Sequence, residues 1–395
     1  MLSQETINII KSTVPVLEQH GKTITTVFYK NMFKAHPELL NVFNHVNQSQ
    51  GRQQTALANT VYAAAANIDN LEAIIPAVVQ IAHKHKSLGI TKDQYPIVGY
   101  HLLGAIKEVL GDAATPEIIA AWGEAYEVIA NVFIGIENEM YDKAGQADGG
   151  WRTFKDFIIA DKVVESEVIT SFYLKPADGK RLPSYKPGQY ISVKVKIPGE
   201  VYTLVRQYSL SQAENGEVYR ISVKREEDFI PNGKVSCYLH NELGVGDKIE
   251  ISVPAGVFHL DTKSTRPVTL ISGGVGITPM MSMFETIAKE TPNRPVAFLH
   301  SARTKSYQAF NSVLQELSSK MPSSKYVALY SNEGDGFITR EFLATNALTG
   351  SDVYVCGPTP FMESVISDLY AIGFTEENIH FEFFGPAAQL ELVEA

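Results

Sequence analysis

Two histidines stand two positions apart in the segment IAHKHKSLGI, residues 81–90, which otherwise has the pattern of a helix. Because each helical residue turns by about 100°, His83 and His85 point to opposite sides and cannot chelate one ion together. His85 falls on the apolar side of the helix, whereas His83 falls near Lys86 on the wetter side and is interpreted as a surface residue. A histidine on an apolar face is either a hydrogen-bonded core residue or a metal ligand, and this helix alone leaves both interpretations open.

A strand-like run ends in glycines in the segment VTLISGGVGITPMM, residues 268–281. Glycines let the backbone turn sharply and approach a pyrophosphate, whose charge the N-terminus of the following helix favours. The spacing is not GxGxxG, and by itself the turn could be a tight strand–helix junction. The predicted nucleotide-binding residues of this turn are Gly273, Gly274, Val275, Gly276, Ile277, Thr278 and Pro279.

Three further short segments contain residues suited to hold a flavin or a nicotinamide. In RQYS, Arg206 can neutralise a pyrophosphate, Tyr208 can lie against a ring and Ser209 can donate to a ring nitrogen, although this pattern also arises by chance in strands. NGKVSCYLH places a glycine just before a helix, which is another potential anion site. VYVCGP ends a strand, where ligands of parallel sheets bind, although Cys356 could equally be a small core residue.

The length and composition of the chain limit the possible function classes. A chain of 395 residues suggests two or three domains, and 45% hydrophobic with 20% charged residues is typical of a soluble globular protein. The net charge of −10 argues against binding of nucleic acid. Cys237 and Cys356 lack CxxC spacing, which excludes a zinc–cysteine cluster and indicates a reducing, cytoplasmic compartment. The apolar runs fall short of the ~18 residues of a membrane helix, so we predict no membrane insertion and no secretory signal.

The elements that must position these residues change period along the chain. Residues 1–142 have helical spacing throughout, and residues 143–150 form a glycine-rich linker. Residues 151–262 alternate with a period of two and predict an antiparallel six-stranded β-barrel, interrupted by one helix at SCYLHNEL. Residues 263–395 alternate strands and helices, which predicts a doubly wound parallel α/β domain. The predicted fold class is therefore multidomain: all-α, then β-barrel, then α/β.

Six segments in fixed order, PGQY, RxYS, VKRE, GxVS, GGVGITP and CGP, resemble the ferredoxin–NADP reductase family over roughly residues 151–395. The resemblance implies FAD in the barrel, NADH or NADPH on the α/β domain, and hydride transfer where they meet. Phe384 would cover the flavin with Glu382 nearby, although Phe384 could equally fill the core at a last strand. The implied FAD residues are Tyr190, Arg206, Gln207, Tyr208, Ser209, Lys224, Arg225, Glu226, Gly233, Lys234, Val235 and Ser236. The implied residues after the later strand are Cys356, Gly357 and Pro358.

The helical first stretch resembles a globin, and with the reductase the whole chain resembles a flavohaemoglobin, a globin fused to a flavin reductase. The resemblance implies haem b with His85 as the iron ligand and with Glu137 and Tyr95 beside its other ring nitrogen. A carboxylate there makes imidazole more electron-donating, which favours oxygen activation over storage. Lys84 would lie near the haem edge, although a solvated lysine is the alternative. The implied residues of the opposite, distal side are Tyr29, Phe43, Gln53 and Leu57.

The resemblance further implies a nitric oxide dioxygenase, which passes electrons from NAD(P)H through FAD to haem and oxidises NO with O2 held at the haem, giving nitrate. Two alternatives remain: an oxygen carrier or sensor, and a flavin reductase acting on quinones, ferric iron or alkyl hydroperoxides. Glu137 disfavours the carrier, which gains nothing from an electron-rich ligand. Ser301, Arg303 and Lys305 follow the second α/β strand without an acidic residue, which favours tolerance of a 2′-phosphate and leaves the nucleotide preference open. We expect a monomer that serves nitric oxide detoxification.

Overall fold

The computed structural model describes residues 2–228 and 230–384, and it confirms the predicted order of an all-α region, an antiparallel barrel and an α/β region. Ser3 Oγ accepts a hydrogen bond from the Thr6 amide (3.0 Å) and so caps the first helix. The core between the helices contains Phe28, Leu102 and Trp122. The α-helices of this region are α1 (Gln4–Ala35), α2 (His45–Ser49), α3 (Arg52–Ala66), α4 (Ile75–Leu88), α5 (Tyr95–Leu110) and α6 (Pro116–Gln146).

Helix α6 differs from the sequence-based predictions in two ways. It continues to Gln146, so the first four residues of the predicted linker 143–150 are helical. Among the described residues it is also the one helix long and apolar enough to cross a membrane by length and composition, with a mean hydropathy of 1.3 over 18 residues. The prediction that no run reaches this length is therefore wrong for α6. In the fold, α6 packs against α1, α4 and α5 and buries Trp122 and Phe133.

The barrel forms where the period of two was predicted, and its strands follow the order β4-β3-β6-β1-β2-β5. A bridge between Leu210 and Ile221 joins the two outer strands and closes the sheet. The interior contains Phe157, Phe172 and Tyr219, which are almost completely buried. The elements are β1 (Phe154–Val164), β2 (Ile169–Pro176), β3 (Tyr190–Val195), β4 (Leu204–Ser209), β5 (Tyr219–Lys224), α7 (Lys234–Asn241) and β6 (Lys248–Ser252).

The α/β region has five parallel strands in the order β11-β10-β7-β8-β9, with helices between them. The chain leaves β7 toward β8 and β9 and returns to the other side of β7 with β10. Ligands of such sheets bind where the strand order reverses, which is here between the carboxyl ends of β7 and β10. The elements are β7 (Val268–Gly273), α8 (Ile277–Glu290), β8 (Val296–Ala302), α9 (Asn311–Lys320), β9 (Ser324–Tyr330), α10 (Arg340–Asn346), β10 (Asp352–Cys356), α11 (Thr359–Ala371) and β11 (Ile379–Glu382).

A buried ion pair connects the barrel to the α/β region. Arg220 on β5 donates to Glu285 on α8 (2.9 Å), and the second carboxylate oxygen of Glu285 accepts from the Ala213 amide (2.8 Å). Ser282 on the same helix donates to the Gln212 carbonyl (2.7 Å). These contacts, all made by helix α8, hold the two regions together.

Candidate functional site

The strongest polar network of the helical region surrounds one edge of the His85 ring. Glu137 on α6 is 2% exposed, and its Oε1 accepts from His85 Nδ1 (2.7 Å) and from the Tyr95 hydroxyl (2.6 Å). The Tyr95 oxygen also lies 3.3 Å from His85 Nδ1. Burial, and then the carboxylate of Glu137, raise the pKa of Tyr95, so its hydroxyl remains a donor. Because a carboxylate only accepts, Nδ1 must bear the proton, and the lone pair of Nε2 is available for a metal.

Two further tyrosines hold the helices that carry this network, and sequence reasoning missed both. Tyr126 on α6 donates to the Tyr95 carbonyl (2.6 Å), and its ring fills the space beside Gly99, where a Cβ atom would lie 2.5 Å from it. Tyr141 donates to the Ile90 carbonyl (2.7 Å) just after α4. A glycine in α5 facing an aromatic residue in α6 was the signal in the sequence, but it shows no partner until the helices are packed.

On the opposite, distal side, the predicted residues comprise the apolar side chains of Phe43 and Leu57 and two side chains with polar groups, Tyr29 and Gln53. Phe43 contacts the Tyr29 ring edge-on, with centroids 5.8 Å apart, and Leu57 packs against the same core. Burial raises the pKa of Tyr29, so its hydroxyl remains a donor. Gln53 Oε1 is buried without a hydrogen-bond partner among the described residues. A buried acceptor without a partner costs about 1–3 kcal/mol, and such a group is more typical of a functional site than of a protein core.

These residues fit a haem. Among the described residues, no group of three or more His, Cys, Asp or Glu side chains is placed to hold a metal. A single imidazole with a fixed tautomer therefore suits an iron whose other ligands come from a porphyrin. Tyr29 and Gln53 supply polar groups, and Phe43 and Leu57 supply apolar surface, for the opposite side of such a ring. Their roles as ligand-binding residues stay predictions.

The predicted FAD residues converge on one end of the barrel. β3 pairs with β4, so that Tyr190 lies opposite Ser209 in the register. Burial raises the pKa values of Tyr190 and Tyr208, which keeps both hydroxyls protonated. Burial also lowers the pKa of Arg206, as expected for a cation held away from water. A partly desolvated arginine near Tyr208 suits a flavin with its pyrophosphate.

Two loops of the barrel are bonded to each other at the start of α7. The Gly233 amide donates to the Glu226 carbonyl (2.7 Å), and the Glu226 amide donates to Ser236 Oγ (3.2 Å). A Cβ atom at Gly233 would lie 2.6 Å from Ser236 Oγ, so this position requires glycine. Lys224 donates to Glu226 (3.0 Å), Arg225 lies in the loop after β5, and Lys234 and Val235 begin α7. The structure thus brings the separate VKRE and GxVS segments together at a helix N-terminus.

The two glycine loops of the α/β region meet at the reversal of strand order. A Cβ atom at Gly276 would collide with the Cys356 carbonyl and lie 2.8 Å from the Gly357 nitrogen. A Cβ atom at Gly357 would in turn lie 2.6 Å from the Phe361 ring. The loops after β7 and β10 therefore approach as closely as glycine permits, at the reversal of strand order where a nucleotide is predicted to bind. The helix α8 begins at Ile277, directly after this turn, and Thr278 and Pro279 lie in its first turn.

Glu382 ends the last described strand, β11, beside the predicted residue Cys356 at the end of β10. Cys356 is completely buried, and its thiol lies 3.6 Å from the Glu382 carbonyl. Burial raises the pKa of Glu382 to about 7, and the charge of Lys84 opposes this increase. Lys84 is partly buried, and burial lowers the pKa of its amine, so the side chain is not fully solvated. Phe384 is 50% exposed, so the alternative that it fills the core is wrong.

The predicted nucleotide-discriminating residues lie at the end of β8. Ser301 pairs with Gly273 in the sheet, which places it next to the glycine turn. Arg303 donates to Asp228 of the barrel (3.2 Å), a residue that sequence reasoning did not single out. Lys305 follows, and its amide donates to Glu333 (2.7 Å) in the loop after β9. The segment after β8 has no acidic residue of its own, but other loops bring the carboxylates of Asp228 and Glu333 close to it. The preference between NADH and NADPH therefore stays open.

The prediction that His83 is a surface residue on a wet side is wrong. His83 Nδ1 accepts from the Gly256 amide of the barrel (3.2 Å), and burial lowers the pKa of His83 to about 4. Lys86 is only 7% exposed and donates to the Pro254 carbonyl (3.0 Å). The polar side of α4 is therefore covered by the barrel rather than by water. A polar helix face has the same sequence pattern in both cases, so the sequence could not separate them.

Models of three protein families match consecutive parts of the chain. The globin family matches residues 26–133, the family of oxidoreductase FAD-binding domains matches residues 156–260, and the family of oxidoreductase NAD-binding domains matches residues 270–367. These matches agree with the all-α, barrel and α/β regions, respectively. The protein is therefore an oxidoreductase with the haem, FAD and nicotinamide-nucleotide domains that the sequence predicted.

Relatives that span the whole chain have the same arrangement. A flavohemoprotein of Bacillus thuringiensis subsp. konkukian is 52% identical over an alignment of 404 positions, gaps included. The alignment covers 99% of this chain and 100% of the relative. A crystal structure of flavohemoglobin from Malassezia yamatoensis with bound FAD and heme superposes with a TM-score of 0.85 at 29% identity, covering 97% and 100% of the two chains. The FAD/NAD-binding domain of nitric oxide dioxygenase from Vibrio cholerae is 40% identical, with a TM-score of 0.55, and covers 59% of this chain and 99% of that one. This chain belongs to the flavohemoprotein family.

Proposed function

We propose that this protein is a nitric oxide dioxygenase that uses NADH or NADPH to convert NO and O2 into nitrate. The observation that carries the proposal is the hydrogen bond between Glu137 Oε1 and His85 Nδ1 (2.7 Å). A buried carboxylate on that nitrogen increases the electron donation of the imidazole, which supports chemistry on oxygen more than reversible storage. The similarity to the FAD/NAD-binding domain of the nitric oxide dioxygenase of Vibrio cholerae, which covers 59% of this chain at 40% identity, supports the same assignment.

The haem, when bound at His85, supplies a site where O2 and NO can react and where single electrons can be accepted. The side chains have separate tasks around that site. His85 holds the group on one side, and Glu137 keeps the proton on Nδ1. Tyr29, protonated because burial raises its pKa, donates toward the distal side, where negative charge develops on oxygen. Gln53 offers an amide to the same side.

The barrel and the α/β region would bind the groups that carry electrons from NADH or NADPH to the haem. The crevice at the carboxyl ends of β7 and β10, beside the contact of Gly276 with Gly357, would hold the nicotinamide, and β4 with the Gly233 loop would hold FAD. Formation of nitrate from NO and O2 requires one electron, so one hydride serves two molecules of NO. A flavin is suited to this division, because it accepts a hydride and gives electrons singly.

Stoichiometry tests the proposal. Holoprotein is mixed with NADH, O2 and a limiting amount of NO, and nitrate and remaining NADH are measured. We expect one nitrate for each NO and about half an NADH for each nitrate, with no nitrate when O2 is omitted. Reversible O2 binding without NO consumption would instead show a carrier. If turnover with quinone, ferric iron or alkyl hydroperoxide far exceeded turnover with NO, the protein would instead be a flavin reductase that acts on those substrates.

A further inference from the structure

Helix α4 presents two different faces to two different regions. Taking His83 as the origin and about 100° for each residue, Lys86 lies at about −60°, Ser87 at about 40° and His85 at about 200°. The three residues other than His85 therefore share an arc of about 100° on the side opposite the imidazole at 85. Because α4 is a continuous helix from Ile75 to Leu88, a shift of one face is a shift of the other.

All three side chains of this arc are hydrogen-bonded to the barrel. His83 and Lys86 bond to the backbone of Gly256 and Pro254, and Ser87 Oγ accepts from Gln207 Nε2 (2.9 Å). The three bonds therefore reach two separate segments of the barrel, one after β6 and one within β4. Contacts to two segments fix both the position and the rotation of a helix, which one contact alone does not.

The two barrel segments are those next to the predicted flavin residues. Gln207 lies between Arg206 and Tyr208 in β4. The segment after β6 pairs with the start of β3, since the Tyr190 amide donates to the Ala255 carbonyl (3.0 Å) and the Ala255 amide returns the bond (2.9 Å). The same short helix therefore touches the iron-binding histidine network on one side and the backbone of the flavin site on the other.

Lys86 has the strictest geometric requirement of the three residues. The side chain is 7% exposed, and the Pro254 carbonyl accepts from one of the three N–H donors of its amine (3.0 Å). An arrangement of α4 that moved this amine away from its acceptor without exposing it would leave a desolvated cation unpaired, which is strongly unfavourable. The burial of a charged donor thus selects one arrangement of the helix on the barrel and disfavours slightly displaced ones.

We propose that Lys86 is a positioning residue that fixes helix α4 on the barrel and thereby sets the geometry across which electrons pass from flavin to haem. The inference rests on the proposed function, because it concerns the electron transfer that the function requires. Lys86 touches neither the predicted nucleotide site nor the Glu137 network, so it acts through the placement of the helix that carries His85.

Rapid mixing with NADH under argon tests the inference in the full-length holoprotein, with the flavin and haem absorbances followed separately. In Lys86→Met, we expect flavin reduction to keep its rate, whereas haem reduction slows by about tenfold, the factor associated with a hydrogen bond to a charged group. Lys86→Arg retains a cationic donor and should recover most of the rate. Both midpoint potentials should stay at their wild-type values, because the position changes and not the driving force.

A structural measurement accompanies the kinetics. Hydrogen–deuterium exchange of the peptide that contains Gly256 should become faster in Lys86→Met, because the amide of Gly256 is bonded to the same helix. Lys92→Met, at an exposed lysine just beyond α4, is the matched control and should leave both measurements unchanged. If Lys86→Met fails to retain its cofactors, Ser87→Ala removes the neighbouring bond to the barrel and should show the same pattern with a smaller change.

The outcomes separate cleanly. A wild-type rate of haem reduction in the Lys86 or Ser87 variant overturns the inference, as does slowing accompanied by a shifted potential or by unchanged exchange at Gly256. Equal slowing in Lys86→Met and Lys86→Arg also overturns it. A wild-type protein whose haem is not reduced by NADH contradicts the proposed function itself, whereas normal reduction in both wild type and Lys86→Met contradicts the inference alone.

Discussion

The two sides of the candidate haem site differ in how completely their polar groups are paired. On the side of His85, the imidazole, the Tyr95 hydroxyl and Glu137 form a closed network with distances of 2.6 to 3.3 Å. On the opposite side, the buried Gln53 Oε1 lacks a partner among the described residues, and Tyr29 lies among aromatic rings. The proximal groups perform the same task in every state of the iron, so the protein can supply their partners itself.

The distal donors, the Tyr29 hydroxyl and the Gln53 amide nitrogen, must pair with a molecule that arrives and leaves. A partner that held the Gln53 amide in place would compete with that molecule, and the unpaired Gln53 Oε1 is the cost, about 1–3 kcal/mol, of avoiding this competition. We therefore expect substitutions on the proximal side, around His85, and on the distal side to affect stability and activity differently. Changes on the proximal side should reduce both, whereas changes on the distal side should reduce activity and leave stability unchanged or increased.

The largest expected effect is that of His85→Ala, which removes the only residue assigned to hold the iron. We expect loss of the Soret band and of nitrate formation, while NADH still reduces the flavin, because the barrel and the α/β region are unchanged. Absorbance spectra and nitrate measurements check this. Retention of NO-dependent turnover would mean that the physiological reaction takes place at the flavin.

Tyr29→Phe removes the distal donor and keeps the ring. We expect O2 dissociation to become faster and turnover to fall by about a hundredfold, the typical effect of removing one preorganised donor, with an unchanged unfolding temperature. Stopped-flow measurement of O2 release and calorimetry check the two parts. Tyr62→Phe, at a partly exposed tyrosine of α3, is the control. Unchanged O2 affinity and NO consumption would show that Tyr29 has no distal role.

Glu137→Gln keeps the shape of the proximal side chain and removes its charge. We expect turnover to fall about tenfold and the haem potential to rise, because a neutral acceptor makes the imidazole less electron-donating. In contrast to Tyr29→Phe, this variant should also lower the unfolding temperature, since it weakens bonds to both His85 and Tyr95. Spectroelectrochemistry measures the haem potential, and calorimetry measures the unfolding temperature. A change in only one of these two quantities would contradict the expected difference between the two sides.

The smallest effect is expected for Gln53→Leu, which removes a buried acceptor without a partner among the described residues. The free energy of unfolding should rise by about 1 kcal/mol, because this unpaired oxygen is no longer buried, while the loss of the amide nitrogen as a donor should release O2 severalfold faster. Chemical denaturation of the haem-loaded protein measures the first quantity and flash photolysis the second. A loss of stability in this variant would show that Gln53 pairs within the protein and that the two sides do not differ in this respect.

Features governed by neighbours in sequence were predictable. The period of two marked the barrel strands, and helical spacing placed His85 on the inner side of α4, because backbone geometry alone sets these periods. The glycine turn at Gly273 to Gly276 was predictable for a similar reason, since it follows a strand and precedes a helix directly. The resemblance of ordered motifs to known families added the partners of His85, which spacing did not supply.

The sequence by itself determined which residues share a helix face or a strand end. It thereby placed His85 on the apolar face of its helix and located the glycine loops and the order of the three regions, whereas the role of His85 as a ligand came from the family resemblance. Only the tertiary structure decided what covers each face. His83 and Lys86 meet barrel atoms 173 and 168 positions away, and Arg220 meets Glu285 across 65 positions. A polar face against water and a polar face against a backbone carbonyl have the same amino-acid pattern, because hydrogen-bonding capacity belongs to the residue and the partner is supplied by packing.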